Sequence, residues 1–187
     1  MPFARRRALS SMRVLFVCLG NICRSPTAEG VLRGLIARES FDGIARIDSA
    51  GTANYHCGAP PDLRSQRAAR ARGYDLSALR ARQFIDRDFT DFDLILAMDR
   101  QNLADIERCA PVADRHKVQL FLAYLPGSSH LEVPDPYYGG VEGFETVLDL
   151  CEAAGLGLIA QLRDQTDSTI SRRAGSSVPP TTDPKTR

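Results

Sequence analysis

Short runs of consecutive apolar residues alternate along this chain with stretches in which apolar residues recur every three or four positions. Residues 12–17 form the first run, and over residues 25–39 Ala28, Val31, Leu32, Leu35 and Ile36 fall on one face of a helix. A strand, a tight loop and a helix are therefore expected at the start. Apolar runs at 44–47, 94–98 and 118–122 read as further strands, and helical spacing returns over 63–72, from Asp99 onward, and over 141–162. Gly155 and Gly157 weaken the last helix, because glycine is a poor helix former. Strands and helices in alternation predict an α/β fold, a parallel sheet covered by helices on both faces.

Composition adds size and compartment to this picture. With 187 residues, 43% hydrophobic and 25% charged, the chain is long enough to bury one substantial core. Lys and Arg total 24 against 23 for Asp and Glu, so no global field would draw in nucleic acid or an anionic membrane, and neither is expected as a partner. The five cysteines, an odd number, show neither the paired spacing of a zinc site nor a secreted disulfide framework, which favours a reducing cytoplasm. No run has the length of a membrane span, and the first residues lack the apolar stretch of a secretory signal. Residues 1–11 carry Arg5, Arg6 and Arg7 without an acidic residue. Residues 165–187 are rich in Ser, Thr, Pro and Arg. Both are expected to be disordered arms flanking a single domain at 12–164.

The chemistry is concentrated in Val14-Leu15-Phe16-Val17-Cys18-Leu19-Gly20-Asn21-Ile22-Cys23-Arg24-Ser25-Pro26. A cysteine ends a buried strand, five residues follow, and Arg-Ser-Pro opens a helix. Parallel sheets bind ligands at the carboxyl ends of their strands, so the loop is well placed. Its backbone N–H groups can converge on an anion at the helix N-terminus. The same amides, with the charge of Arg24 and the Ser25 hydroxyl, would favour a thiolate at Cys18. A guanidinium offers a planar fork to two phosphate oxygens, which a lysine cannot do. Pro26 suits a first helical turn, and Gly20 and Asn21 are expected to supply the positive φ angles of a cradle. A buried structural cysteine would explain Cys-x5-Arg alone; the strand before it and the Ser-Pro after it favour a nucleophile.

Thiolate attack on a phosphate monoester needs a proton for the leaving oxygen. Asp135 is the candidate donor, in Val133-Pro134-Asp135-Pro136-Tyr137-Tyr138-Gly139-Gly140, where Tyr137 and Tyr138 could stack on an aromatic substrate. Taken alone, that segment reads equally well as an ordinary Pro-Gly surface loop.

Together the two segments resemble the low-molecular-weight protein tyrosine phosphatases, which pair a Cys-x5-Arg-Ser loop near the amino terminus with a distant Asp-Pro-Tyr-Tyr. The resemblance spans about residues 12–162 and takes in Asp48-Ser49-Ala50-Gly51-Thr52, Met98-Asp99 and Gly143-Phe144-Glu145-Thr146. It implies an open four-stranded parallel sheet with helices on both faces. It also implies a two-step reaction through a phosphocysteine. In it Cys18 is the nucleophile, Arg24 binds phosphate, Ser25 assists the thiolate as leaving group, and Asp135 acts as acid and then as base. Leu19, Gly20, Asn21, Ile22 and Cys23 would form the cradle, Asn21 and Ser49 would brace it, and Tyr55, Tyr137 and Tyr138 would wall a pocket for phosphotyrosine. Cys23 matches a second loop cysteine that can form a reversible disulfide with the nucleophile. One departure is Leu79, where many family members carry a histidine in the polar network under the loop; Glu29 would then lack its usual partner.

The resemblance implies no cofactor and no metal, inhibition by free phosphate or vanadate, a phosphotyrosine protein as substrate partner, and a monomer or weak dimer. His56, His116 and His130 have no ligand spacing and read as surface or loop residues. Asp99 reads as a helix N-cap or as a support for the site. Two other functions fit the loop, a thioredoxin-coupled arsenate reductase and a silent phosphotyrosine-binding module. The reductase needs a downstream cysteine relay, for which Cys57 and Cys109 are single and widely spaced.

Overall fold

The computed structural model of the chain describes residues 11–127, 129 and 131–174. The first apolar run is strand β1 (Met12–Cys18), and the helical stretch after it is α1 (Arg24–Arg38). There follow β2 (Ile44–Gly51), α2 (Leu63–Ala71), the single turn α3 (Asp88–Asp91), β3 (Leu94–Ala97), α4 (Arg100–Cys109), β4 (Val118–Leu120) and α5 (Val141–Ala174). The four strands form one parallel sheet in the order β2-β1-β3-β4, so β1 is hydrogen-bonded on both edges.

Side chains alternate across the pleat, and the two faces of the sheet build two apolar layers. Val14 and Phe16 of β1, with Leu94 and Leu96 of β3, meet α1, α2 and α5; Leu15 and Val17, with Ile95 and Ala97, meet α3 and α4. Both faces being covered, the inner strands β1, from Val14 on, and β3 read as unbroken apolar runs and not as alternating ones. Phe16 packs edge-on against Phe121 with ring centroids 4.9 Å apart, and removing such a ring from water contributes roughly 1.5–3 kcal/mol.

The structure departs from the sequence pattern in four places. The strand expected over 118–122 ends at Leu120, because residues 121–124 wind into a 3-10 turn that buries Phe121 and Leu122. The turn α3 has too few residues for a periodicity to show. Gly155 and Gly157, which weakened α5 as a sequence, are required by its packing: a Cβ on Gly157 would lie 1.9 Å from Tyr124 O, and one on Gly155 2.7 Å from Leu35 Cδ1. Finally, α5 continues through residues 165–174, part of the arm expected to be disordered, since nothing before Gly175 interrupts the propagation of an established helix. The rest of that arm, and the basic arm except Ser11, lie outside the described residues. Among the described residues no helix is long and apolar enough to cross a membrane.

Candidate active site

The sheet delivers Cys18 to the carboxyl end of its central strand, with Gly51 of β2 as register partner. The cysteine is 2% exposed. Its Sγ accepts a hydrogen bond from Asn21 N–H at 3.2 Å and lies 3.1 Å from Ser25 Oγ. Asn21 alone in the loop has a positive φ, 55°. Gly20 does not, contrary to expectation; its smallness serves a close approach, since a Cβ there would lie 3.0 Å from His56 Cδ2. Gly51 is required for a similar reason: a Cβ would lie 2.7 Å from Leu19 O and 3.2 Å from Asn21 N.

Beneath the loop, Asn21 works with all its polar atoms. Its Nδ2 donates to Ser25 Oγ and Ser49 Oγ, both at 2.9 Å, and its Oδ1 accepts from Arg82 N–H at 2.9 Å. Ser49 Oγ donates to Glu29 Oε2 at 2.6 Å. Glu29 is buried, and it is not left without a partner by Leu79, as the resemblance had implied. Arg33, one turn further along α1, pairs with it at 2.7 Å, while Leu79 packs against the main core. Burial holds the Glu29 carboxyl above the usual carboxylate range despite the bonds from Ser49 and Arg33.

Arg24 is 4% exposed and spans the site. Its Nη1 donates to Asp99 Oδ2 at 2.5 Å and its Nη2 to Asp135 Oδ2 at 2.9 Å. Burial opposes its charge most strongly, yet the Cys18 sulfur, Asp99 and Asp135 together raise its pKa above the ordinary arginine value. Asp99 performs both functions open to it, because its Oδ1 accepts from Asn102 N–H at 2.7 Å as N-cap of α4. Asp135 is held on its other oxygen by Tyr137 N–H at 3.1 Å.

These groups meet in a cavity of about 340 Å³. Cys18, Arg24 and Asp135 line it with Leu19, Gly20, Ile22 and Cys23, and Tyr55, Tyr137 and Tyr138 complete the wall. Asn21, Ser25 and Ser49 do not line it; Asn21 is hydrogen-bonded to the other two. Tyr55 and Tyr138 are 76% and 97% exposed, so the rim presents aromatic surface directly to water. His56, grouped with the surface histidines in the sequence, also lines the cavity; its position next to Tyr55 was the available signal. His116 sits in the 112–117 turn, and His130 lies outside the described residues. Cys23 is a buried free thiol whose pKa burial pushes up to about 12, so it is protonated at neutral pH.

The model of the low-molecular-weight phosphotyrosine protein phosphatase family matches residues 13–168. The chain belongs to that family. Its members are cysteine-dependent, metal-independent enzymes. The chain is 47% identical over 152 residues to a putative low-molecular-weight protein-tyrosine-phosphatase of Synechocystis, covering 81% of this chain and 96% of the relative. Among solved structures it resembles a protein tyrosine phosphatase from Entamoeba histolytica, with a TM-score of 0.79 at 39% identity over 83% of this chain and 99% of the other. It also resembles a Drosophila arginine phosphatase, with a TM-score of 0.74 at 31% identity over 80% and 97% of the two chains.

Proposed function

We propose that the chain hydrolyses phosphotyrosine in proteins, and small aryl phosphates, through a phosphocysteine. The observation that carries this reading is the convergence of Cys18, Arg24 and Asp135 on one aromatic-walled cavity. The Cys18 thiolate attacks phosphorus as the bond to the aryl oxygen breaks, and protonated Asp135 donates its proton to that oxygen. Arg24 follows the equatorial phosphate oxygens with its fork, held by Asp99 so that little reorganisation is needed. Water then attacks the phosphocysteine, with the Asp135 carboxylate as base. The S–P bond breaks and the sulfur leaves as a thiolate, assisted by the Ser25 hydroxyl. Free phosphate and vanadate occupy the same cradle as inhibitors.

The wall selects the substrate. Leu19, Ile22 and the three tyrosines offer apolar contact to a phenyl ring, worth ~1 kcal/mol per aromatic pair beyond area burial. Neither Cys57 nor Cys109 lines the cavity, which disfavours a cysteine relay to arsenate.

The test is turnover of p-nitrophenyl phosphate, a phosphotyrosine peptide and phosphoarginine against pH, with a chelator present. Cys18→Ser should be inactive. Asp135→Ala should lose roughly 10²–10⁴-fold, the usual contribution of a positioned acid, and should lose the basic limb of its pH profile. Turnover surviving in Cys18→Ser would overturn the mechanism, and a preference for phosphoarginine would overturn the substrate.

A further inference from the structure

The proton donor rides on residues 131–140, which form neither helix nor strand, so its position depends on contacts from elsewhere. One such contact comes from Arg64, in the first turn of α2. Its Nη1 donates to Tyr137 O at 3.0 Å. Its guanidinium lies over the rings of Tyr137 and Phe144, 5.5 and 4.7 Å from their centroids. The other side of the fork is taken by Asp62: Nε donates to Oδ1 at 3.0 Å and Nη2 to Oδ2 at 2.8 Å. Asp62 caps α2 by accepting from Arg64 N–H at 2.8 Å, and donates its own N–H to Ile22 O, inside the phosphate loop, at 2.8 Å. Since Tyr137 N–H donates to Asp135 Oδ1, an unbroken path runs from the phosphate loop through Asp62, Arg64 and Tyr137 to the carboxylate.

We propose that Arg64 is a positioning residue for proton donation, fixing the loop of Asp135 relative to the loop of Cys18. The proposal rests on the phosphatase reading above. Only an arginine suits the place, since a lysine cannot grip both carboxylate oxygens, reach a carbonyl and lie flat on two rings at once. The Arg64 and Asp62 side chains are 40% and 14% exposed, so their pairing adds little to stability, and its effect is geometric. The hydrogen bonds from Arg64 hold the Asp62 carboxyl below the usual carboxylate range. The pairing is therefore complete above the ordinary aspartate value and is lost only as pH falls through the lowered one.

Displacing an acid matters most when the leaving oxygen needs the proton. Arg64→Ala and Arg64→Lys are therefore compared with wild type on phosphotyrosine and on dinitrophenyl phosphate, whose leaving group departs readily as an anion. Each variant is also made in the Asp135→Ala background. For Arg64→Ala, kcat on phosphotyrosine should fall about ten-fold, a fraction of what a positioned acid supplies. The kcat/KM for dinitrophenyl phosphate, which leaves out the later step in which Asp135 acts as base, and the vanadate inhibition constant should stay within about two-fold, and Arg64→Lys should fall between. With Asp135 already removed, Arg64→Ala should cost nothing further, because its effect passes through that carboxylate. An equal loss in both backgrounds, a loss confined to KM and vanadate affinity, or no loss at all would overturn the proposal. If Arg64→Ala does not fold, Arg64→Met, which keeps the apolar stem over Phe144, carries the same comparison. A wild type inert to both substrates would defeat the phosphatase reading itself.

Discussion

Asn21 shows how much of this site rests on single side chains. Three of its bonds join the loop to Ser25, to Ser49 of β2 and to Arg82, while its backbone takes a left-handed φ that costs most residues about 1–2 kcal/mol. Asn tolerates that conformation better than most. Asn21→Ala should therefore lower both stability and kcat, by about 2 kcal/mol or more and by about ten-fold, since lost buried hydrogen bonds and strain act together. Asn21→Gly separates the two: it relieves the φ angle but restores no brace, so its denaturation midpoint should recover further than its kcat. Equal recovery of both would show that the side-chain bonds do not matter to turnover. Asn21 takes the positive φ its residue type favours, whereas Gly20 answers to the closeness of His56, which only the folded loop creates.

At the scale of elements, α1 is fastened to β2 through polar contacts as well as apolar packing. Arg33 pairs with Glu29 and also donates to Ile47 O at 2.6 Å, and Glu29 reaches across to Ser49. Because the folded-state pKa of Glu29 is raised, the native state holds its proton more tightly than the unfolded chain does. Folding stability from this group is therefore greatest below the ordinary glutamate value and declines as pH rises from there through the raised value. Urea midpoints of wild type and Glu29→Gln, measured from about pH 4 to 7, should draw apart with increasing pH in favour of Gln, which has no charge to bury. Parallel curves would mean that Arg33 compensates the charge fully. Elements of this kind mark the boundary of what the sequence discloses. The apolar runs, the Cys-x5-Arg loop and the capping Asp99 were legible because their signals are local. The Glu29–Arg33 pairing is also local, at one helical turn, and it takes the place of the histidine that Leu79 replaces as partner of Glu29. The bonds from Arg24 to Asp99 and from Arg64 to Tyr137 join residues 75 and 73 positions apart, and only the order of strands brings them together. Gly155 and Gly157 looked like weaknesses for the same reason, since the turn and helix they fit against are remote in sequence.

In the whole molecule, the nucleophile and the proton donor are mounted on parts of very different firmness. Asp135 lies on an irregular segment tied down by a few bonds, whereas Cys18 terminates β1, which pairs with strands on both edges and is buried beneath helices on both faces. A strand so enclosed has no route to partial opening. Its amide protons should exchange with solvent only through complete unfolding, while those of residues 135–140 should exchange through small local excursions at far lower free energy. Loss of turnover in denaturant should accordingly follow the same curve as loss of far-ultraviolet ellipticity in an Asp135→Ala background, where the softer half of the machinery no longer contributes. In the wild type turnover should fade slightly earlier. Reactivity at the sulfur thus shares the lifetime of the fold itself, and wear on the catalyst begins at the acid.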